Sequence, residues 1–199
     1  MIDLNLITER QLMEMEVGLL QYEYIRSHFD LGDNEDFREV FTNFYLSSQG
    51  KMRQEDNRNP FFEKLFNTEP NQNLIELVQY LYDHLALSMY EFSFATKLLH
   101  TINNNSPIYD SKVYEYLKRE EDVDFIDIQS SRRKKNGRLM NKLERIEHNW
   151  NELNEWYGSF LQSPRGREWI NYFDEHFPRY SHINNVKKID FIIFSCSGY

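Results

Sequence analysis

Apolar residues recur at intervals of three and four along almost the whole chain, the spacing of helices that bury one face. A capping box at Thr8 and Gln11 opens the first predicted helix, which runs to about Arg26 with Leu12, Met15, Leu19, Tyr22 and Ile25 on its apolar face. Asp33, Asn34, Glu35 and Asp36 precede Phe37, Val40, Phe41, Phe44 and Tyr45, which predicts a second helix ending near residues 47–50. Residues 51–59 are polar, and Pro60-Phe61-Phe62 then starts a short helix. Leu74, Leu77, Val78, Leu81 and Tyr82 continue the helical spacing behind Asn71–Asn73.

The stretch over residues 92–113 is an apolar helix, a turn at Asn103-Asn104-Asn105-Ser106, and a second helix entered through Pro107-Ile108-Tyr109-Asp110. Pro107 holds Ser106 out of helical geometry, and Asp110 stands at the N-cap of a short helix over 111–117, where it accepts from the amide of Lys112 or Val113. An acidic turn at 120–124 leads to an exposed loop carrying Arg132, Arg133, Lys134, Lys135 and Arg138, the densest charge run in the sequence. Leu139, Leu143, Ile146, Trp150, Leu153, Tyr157 and Phe160 mark a long helix, and Ser163-Pro164 starts the next, which carries Trp169, Ile170 and Phe173. Residues 184–194 suit a buried helix or a strand by composition; with no partner strand elsewhere, they are read as helix. The fold class is therefore all-α, a single compact multi-helix domain over residues 1–199.

Composition narrows the function classes. Hydrophobic residues make up 40% of the 199, enough for a core, and the single cysteine, Cys196, excludes an internal disulfide and any site built from several thiolates. No cofactor or metal is implied. The N-terminus lacks the basic and apolar regions of a secretory signal, and no run approaches the ~20 apolar residues that span a bilayer, so a cytoplasmic location away from membranes is expected. The formal net charge of −9 is unevenly divided. Residues 1–110 hold 8 Lys and Arg against 18 Asp and Glu, a net of −10, whereas 111–199 hold 15 against 14, a net of +1. The overall charge argues mildly against a nucleic-acid partner; the residues suited to such a contact are in the second half, Arg132–Lys135 and Arg138, either a phosphate-following loop or a solvated one, with Arg165 and Arg167 near a helix N-terminus.

Each candidate also has a plain structural reading. Asp110 is an N-cap whatever else it does. Lys97 and His100 lie three apart on one helix, where they either line a pocket with Asp110 or sit solvated on its polar side. Tyr109 is a stacking surface for a base or a core tyrosine, Arg165 and Arg167 are phosphate contacts or partners of nearby acids such as Glu168, and Trp150, Trp156, Trp169 and Phe173 are read as core.

Helix, turn, Pro-Ile-Tyr-Asp, helix resembles the catalytic core of the helix-hairpin-helix DNA glycosylases. The chain is similar to bacterial proteins with an 8-oxoguanine DNA glycosylase fold in two places: from Lys97-Leu98-Leu99-His100 through Pro107-Ile108-Tyr109-Asp110-Ser111-Lys112-Val113, and at Val186-Lys187-Lys188-Ile189-Asp190-Phe191. The resemblance implies base excision repair of DNA, with Asp110 matching the aspartate that stabilises positive charge on the sugar or orients a nucleophile, and with the damaged base flipped from the stack. It also implies DNA contacts by Tyr109, Lys112 and the basic residues above. The family's hairpin carries glycines that admit a phosphate, and bifunctional members a lysine that attacks the sugar. Residues 87–95 contain neither, and Lys97 is the nearest lysine. Two functions are expected accordingly: a DNA-glycosylase-like enzyme acting on a lesion such as 8-oxoguanine, or a non-catalytic helical protein that binds nucleic acid or a protein partner on the same scaffold.

Overall fold

A computed structural model describes residues 2–46, 54–85, 91–128, 134–135 and 138–196. The protein is all-α apart from one two-stranded hairpin among these residues. Its helices are α1 (Glu9–His28), α2 (Glu35–Tyr45), α3 (Glu55–Phe66), α4 (Leu74–His84), α5 (Phe92–Ile102), α6 (Ser111–Glu120), α7 (Lys142–Gln162), α8 (Pro164–His176) and α9 (Asn185–Cys196). The strands β1 (Lys134–Lys135) and β2 (Arg138–Leu139) lie between α6 and α7 and pair antiparallel, Lys134 opposite Leu139 and Lys135 opposite Arg138. The chain forms two compact units: residues 8–104, holding α1 to α5, and residues 105–199 together with the first seven residues.

Local signals start most helices. Thr8 and Gln11 exchange the two hydrogen bonds of a capping box, and Asn34, Asn73, Asp110 and Ser163 each accept from a first-turn amide. A second capping box, Asn141 with Glu144, opens α7 and corrects the expectation for Leu139, which belongs to β2 rather than to the helix. Pro60 does not start α3: the helix begins at Glu55, and Pro60 sits inside it. At the sixth position of the helix, Pro60 removes the amide donor to the Asp56 carbonyl and crowds that carbonyl with its ring.

In the first unit, α1 packs on α2, and α4 on α5 and α3. Phe37, Phe41, Phe61 and Phe62 are fully buried and meet ring to ring, and Phe94 of α5 lies 6.4 Å from Phe61 between centroids. In the second unit α9 packs against α6, α7 and α8. Helices α5 and α9 are buried on nearly every side, from Phe94 to Thr101 except the half-exposed Lys97, and from Val186 to Ile193. Each unit is therefore built around a largely buried helix, and in α9 the buried residues include Lys187, Lys188 and Asp190.

The extended segment before the hairpin is held by side chains of α7. The Asn149 amide accepts from the Ile126 N–H and donates to the Ile126 carbonyl, both at 2.8 Å. Arg145 donates to the Asp127 carbonyl at 3.2 Å, and His148 Nε2 lies 2.7 Å from the Asp124 carbonyl. Side chains thus supply the pairing that a neighbouring strand would otherwise give this backbone.

Candidate functional site

Asp110 enters α6 with extended backbone, behind the buried Pro107 and Ile108. Its Oδ1 accepts from the Val113 N–H at 2.9 Å, one of the two amides the sequence indicates. The cap adds about 0.5–2 kcal/mol to the helix. Among the described residues no donor reaches its second oxygen, and the side chain is half-buried. The carboxylate is thus fixed by one atom.

Behind Asp110 lies a polar group buried in the second unit. Tyr157 of α7 is 2% exposed, and its hydroxyl has no hydrogen-bond partner among the described residues. Burial pushes its phenol well above the usual range, and the nearby carboxylates of Asp190 and Asp110 push it further. The hydroxyl therefore stays protonated through neutral pH, a donor close to two acids. On α9, Lys187 and Asp190 form an ion pair of 2.5 Å, both almost completely buried. Lys188 also points inward, donating to the Ser181 carbonyl at 2.7 Å and pairing with Asp174 at 2.6 Å. Asp110, Tyr157, Lys187 and Asp190 thus bring α6, α7 and α9 to one polar locus inside the unit.

A buried hydroxyl without a partner costs about 1–3 kcal/mol. Tyr157→Phe is expected to leave stability unchanged or to raise it by about 1 kcal/mol, measured by urea unfolding. A loss of more than that would mean that the hydroxyl is satisfied, for instance by a buried water.

The other candidates each have partners of their own. Lys97 and His100 belong to α5, in the first unit. Lys97 donates to the Tyr45 carbonyl at 2.8 Å. His100 is fully buried rather than on a polar side, with Nε2 3.1 Å from the Tyr22 hydroxyl. Tyr109 is half-buried in a ring cluster with Tyr114 and Phe125, at 5.7 and 5.8 Å, and hydrogen-bonds Asn149; burial raises its phenol. Lys112 donates to the Phe194 carbonyl at 3.0 Å and lies over that ring at 4.0 Å, tying α6 to the end of α9.

Arg165 pairs with Glu121, which also accepts from Tyr116 at 2.7 Å; the partner acid is Glu121 and not Glu168. Arg167 donates to the Gln162 carbonyl at 2.6 Å, where α7 ends. In the basic run, the backbone of Lys134, Lys135 and Arg138 forms the hairpin instead of an irregular loop, while Arg132 and Arg133 lie outside the described residues. Trp169 and Phe173 are core, whereas Trp150 and Trp156 are half-exposed.

Tyr157, Lys187 and Asp190 were not singled out as site residues. Tyr157 has the spacing of an apolar marker, and its hydroxyl makes no local pattern. For the other two a signal exists: Lys-Lys-Ile-Asp inside an otherwise apolar helix requires that charges be buried in pairs. Among the described residues, no group of three His, Cys, Asp or Glu side chains is placed to hold a metal ion, and no helix is long and apolar enough to cross a membrane. The sequence has no significant match to a family model, a curated protein or a solved structure.

Proposed function

We propose that the chain is a DNA-glycosylase-like protein that releases a damaged base, 8-oxoguanine being the first candidate, with Asp110 as its acting carboxylate. The observation that carries this reading is the geometry of Asp110, with one oxygen committed to the Val113 amide and the other taking no donor among the described residues. Such a carboxylate is held in place at the moment of reaction, and positive charge developing on a sugar as its base departs is stabilised by a fixed anion more than by mobile water. Tyr157 and the Lys187–Asp190 pair supply a polar backing of low mobility. Lys97, the lysine nearest residues 87–95 in sequence, donates to the Tyr45 carbonyl. The reading is hydrolytic release by Asp110, and borohydride trapping tests it against a covalent lysine intermediate. The flipped base and flanking phosphates would be met by Tyr109 and by the basic residues of the 132–138 segment.

The test is incubation of the protein with duplexes carrying single defined lesions, with borohydride trapping in parallel. Base release without trapping is expected, and Asp110→Asn should reduce it by at least ~100-fold while thermal stability changes little, because asparagine caps as well as aspartate. Silence on every duplex overturns the enzyme reading.

The alternative is a binding scaffold without chemistry. It is favoured by Lys112, Arg165 and Arg167, each already engaged with another part of the chain, and by the absence of glycine from residues 87–95. On that reading, duplex binding weakens with salt and is lost when Arg132, Arg133, Lys134 and Lys135 are neutralised, and no lesion is processed.

A further inference from the structure

Helix α1 has two apolar faces. Met15, Leu19, Tyr22 and Ile25 form the buried one. On the opposite side Met13, Val17 and Leu20 are 67%, 59% and 49% exposed, and the half-exposed Tyr24, stacked on His28, continues the row. The intervals 13, 17, 20, 24 are four, three and four, the alternation of the d and a positions of a coiled-coil seam. Isolated exposed apolar residues need no explanation, but a row at heptad spacing along one helix is the pattern that a second helix covers.

The residues flanking the row define that helix. Glu9, Glu16 and Glu23 follow one another at seven-residue intervals along one side, and Glu14 and Gln21 lie along the other. Arg10, paired with Glu14 at 2.9 Å, offsets one of these charges. A second copy of α1 is disfavoured in either direction: antiparallel pairing sets the glutamate row against itself, and parallel pairing sets Glu9 against Glu14. An anionic lipid surface meets the same repulsion.

We propose that the outer face of α1 is a docking surface for an amphipathic helix of a partner protein, one with an apolar seam flanked on both sides by lysine or arginine. The apolar row supplies the contact area, and the glutamates select the partner.

The probe is a fluorescein-labelled synthetic peptide of about three heptads, with isoleucine at a, leucine at d and lysine at e and g, whose own lysines oppose self-association. Its anisotropy is followed on titration with the full chain, beside a control peptide with glutamate at e and g. The lysine peptide is expected to bind at least ~10-fold more tightly than the control, and Val17→Ser with Leu20→Ser to weaken it by at least ~10-fold without a change in the helical spectrum of the protein. Three results overturn the proposal: failure of the lysine peptide to bind, binding that survives the serine substitutions and is therefore unspecific attraction to an acidic surface, or sedimentation of the protein alone as a dimer that Val17→Ser disperses.

Discussion

Gly166→Ala is expected to destabilise the protein by about 3 kcal/mol, with a fall in Tm on the order of 10 °C. Helix α8 starts with no loop after α7: Ser163 ends one and caps the other, its hydroxyl donating to the Phe160 carbonyl at 2.7 Å and accepting from the Gly166 N–H at 2.9 Å. At Gly166 the first turn of α8 passes so close to the end of α7 that an added Cβ would overlap the Phe160 carbonyl oxygen and come within 2.8 Å of its carbon and 3.3 Å of Leu161 Cα. All three are backbone atoms, so no side-chain rotation relieves the overlap. Gly158 is the control. Nothing lies within 4 Å of a Cβ built there, and Gly158→Ala in the interior of α7 should stabilise by up to about 1 kcal/mol. Thermal unfolding of both variants checks the argument, which fails if their shifts have the same sign.

The second large effect is expected at the Lys187–Asp190 pair. Asp190→Ala removes the carboxylate 2.5 Å from a buried ammonium, and breaking a buried pair in this way costs about 3–5 kcal/mol. The pair itself need not be worth that much, because two ions must be desolvated to form it. Lys187→Met combined with Asp190→Leu should therefore recover most of the loss. Urea unfolding of both single variants and the double variant measures the coupling; additive losses would show that the two charges do not depend on each other.

Helix identity was legible because the chain marks it twice, by apolar spacing and by caps. Thr8, Asn34, Asn73, Asp110 and Ser163 are each the cap their context indicates. Errors arose where one signal masked the other. Leu139 has the right spacing to join Leu143 and Ile146, yet Asn141 caps two residues later, and in the structure the cap decides where the helix starts. Pro60 reads as a first position, but the residues before it are helical without any apolar periodicity to announce them.

Charge suggested a division after residue 110, whereas contacts divide the chain at residues 104 and 105, inside the asparagine turn. The difference matters for the site. The helix–turn–helix stretch that carries the resemblance begins in one unit and ends in the other, Lys97 and His100 in the first and Asp110 in the second. The spacing of Lys97 and His100 places them on one face of α5, but the structure exposes them differently: Lys97 is half-exposed and His100 buried. Asp110 was legible because its role is local, and Tyr157 was not, because its surroundings come from three helices distant in sequence.

The grip of α7 on residues 124–127 determines where in the sequence that segment is specified. Arg145, His148 and Asn149 reach carbonyls of Asp124, Ile126 and Asp127 and one N–H, groups that nearly every residue type possesses. The course of the segment is thus encoded largely on the helix that reads it and only in part by its own side chains, chiefly the buried Phe125 and Ile126. A change at Asn149 therefore rewrites the path of a stretch more than twenty residues before it.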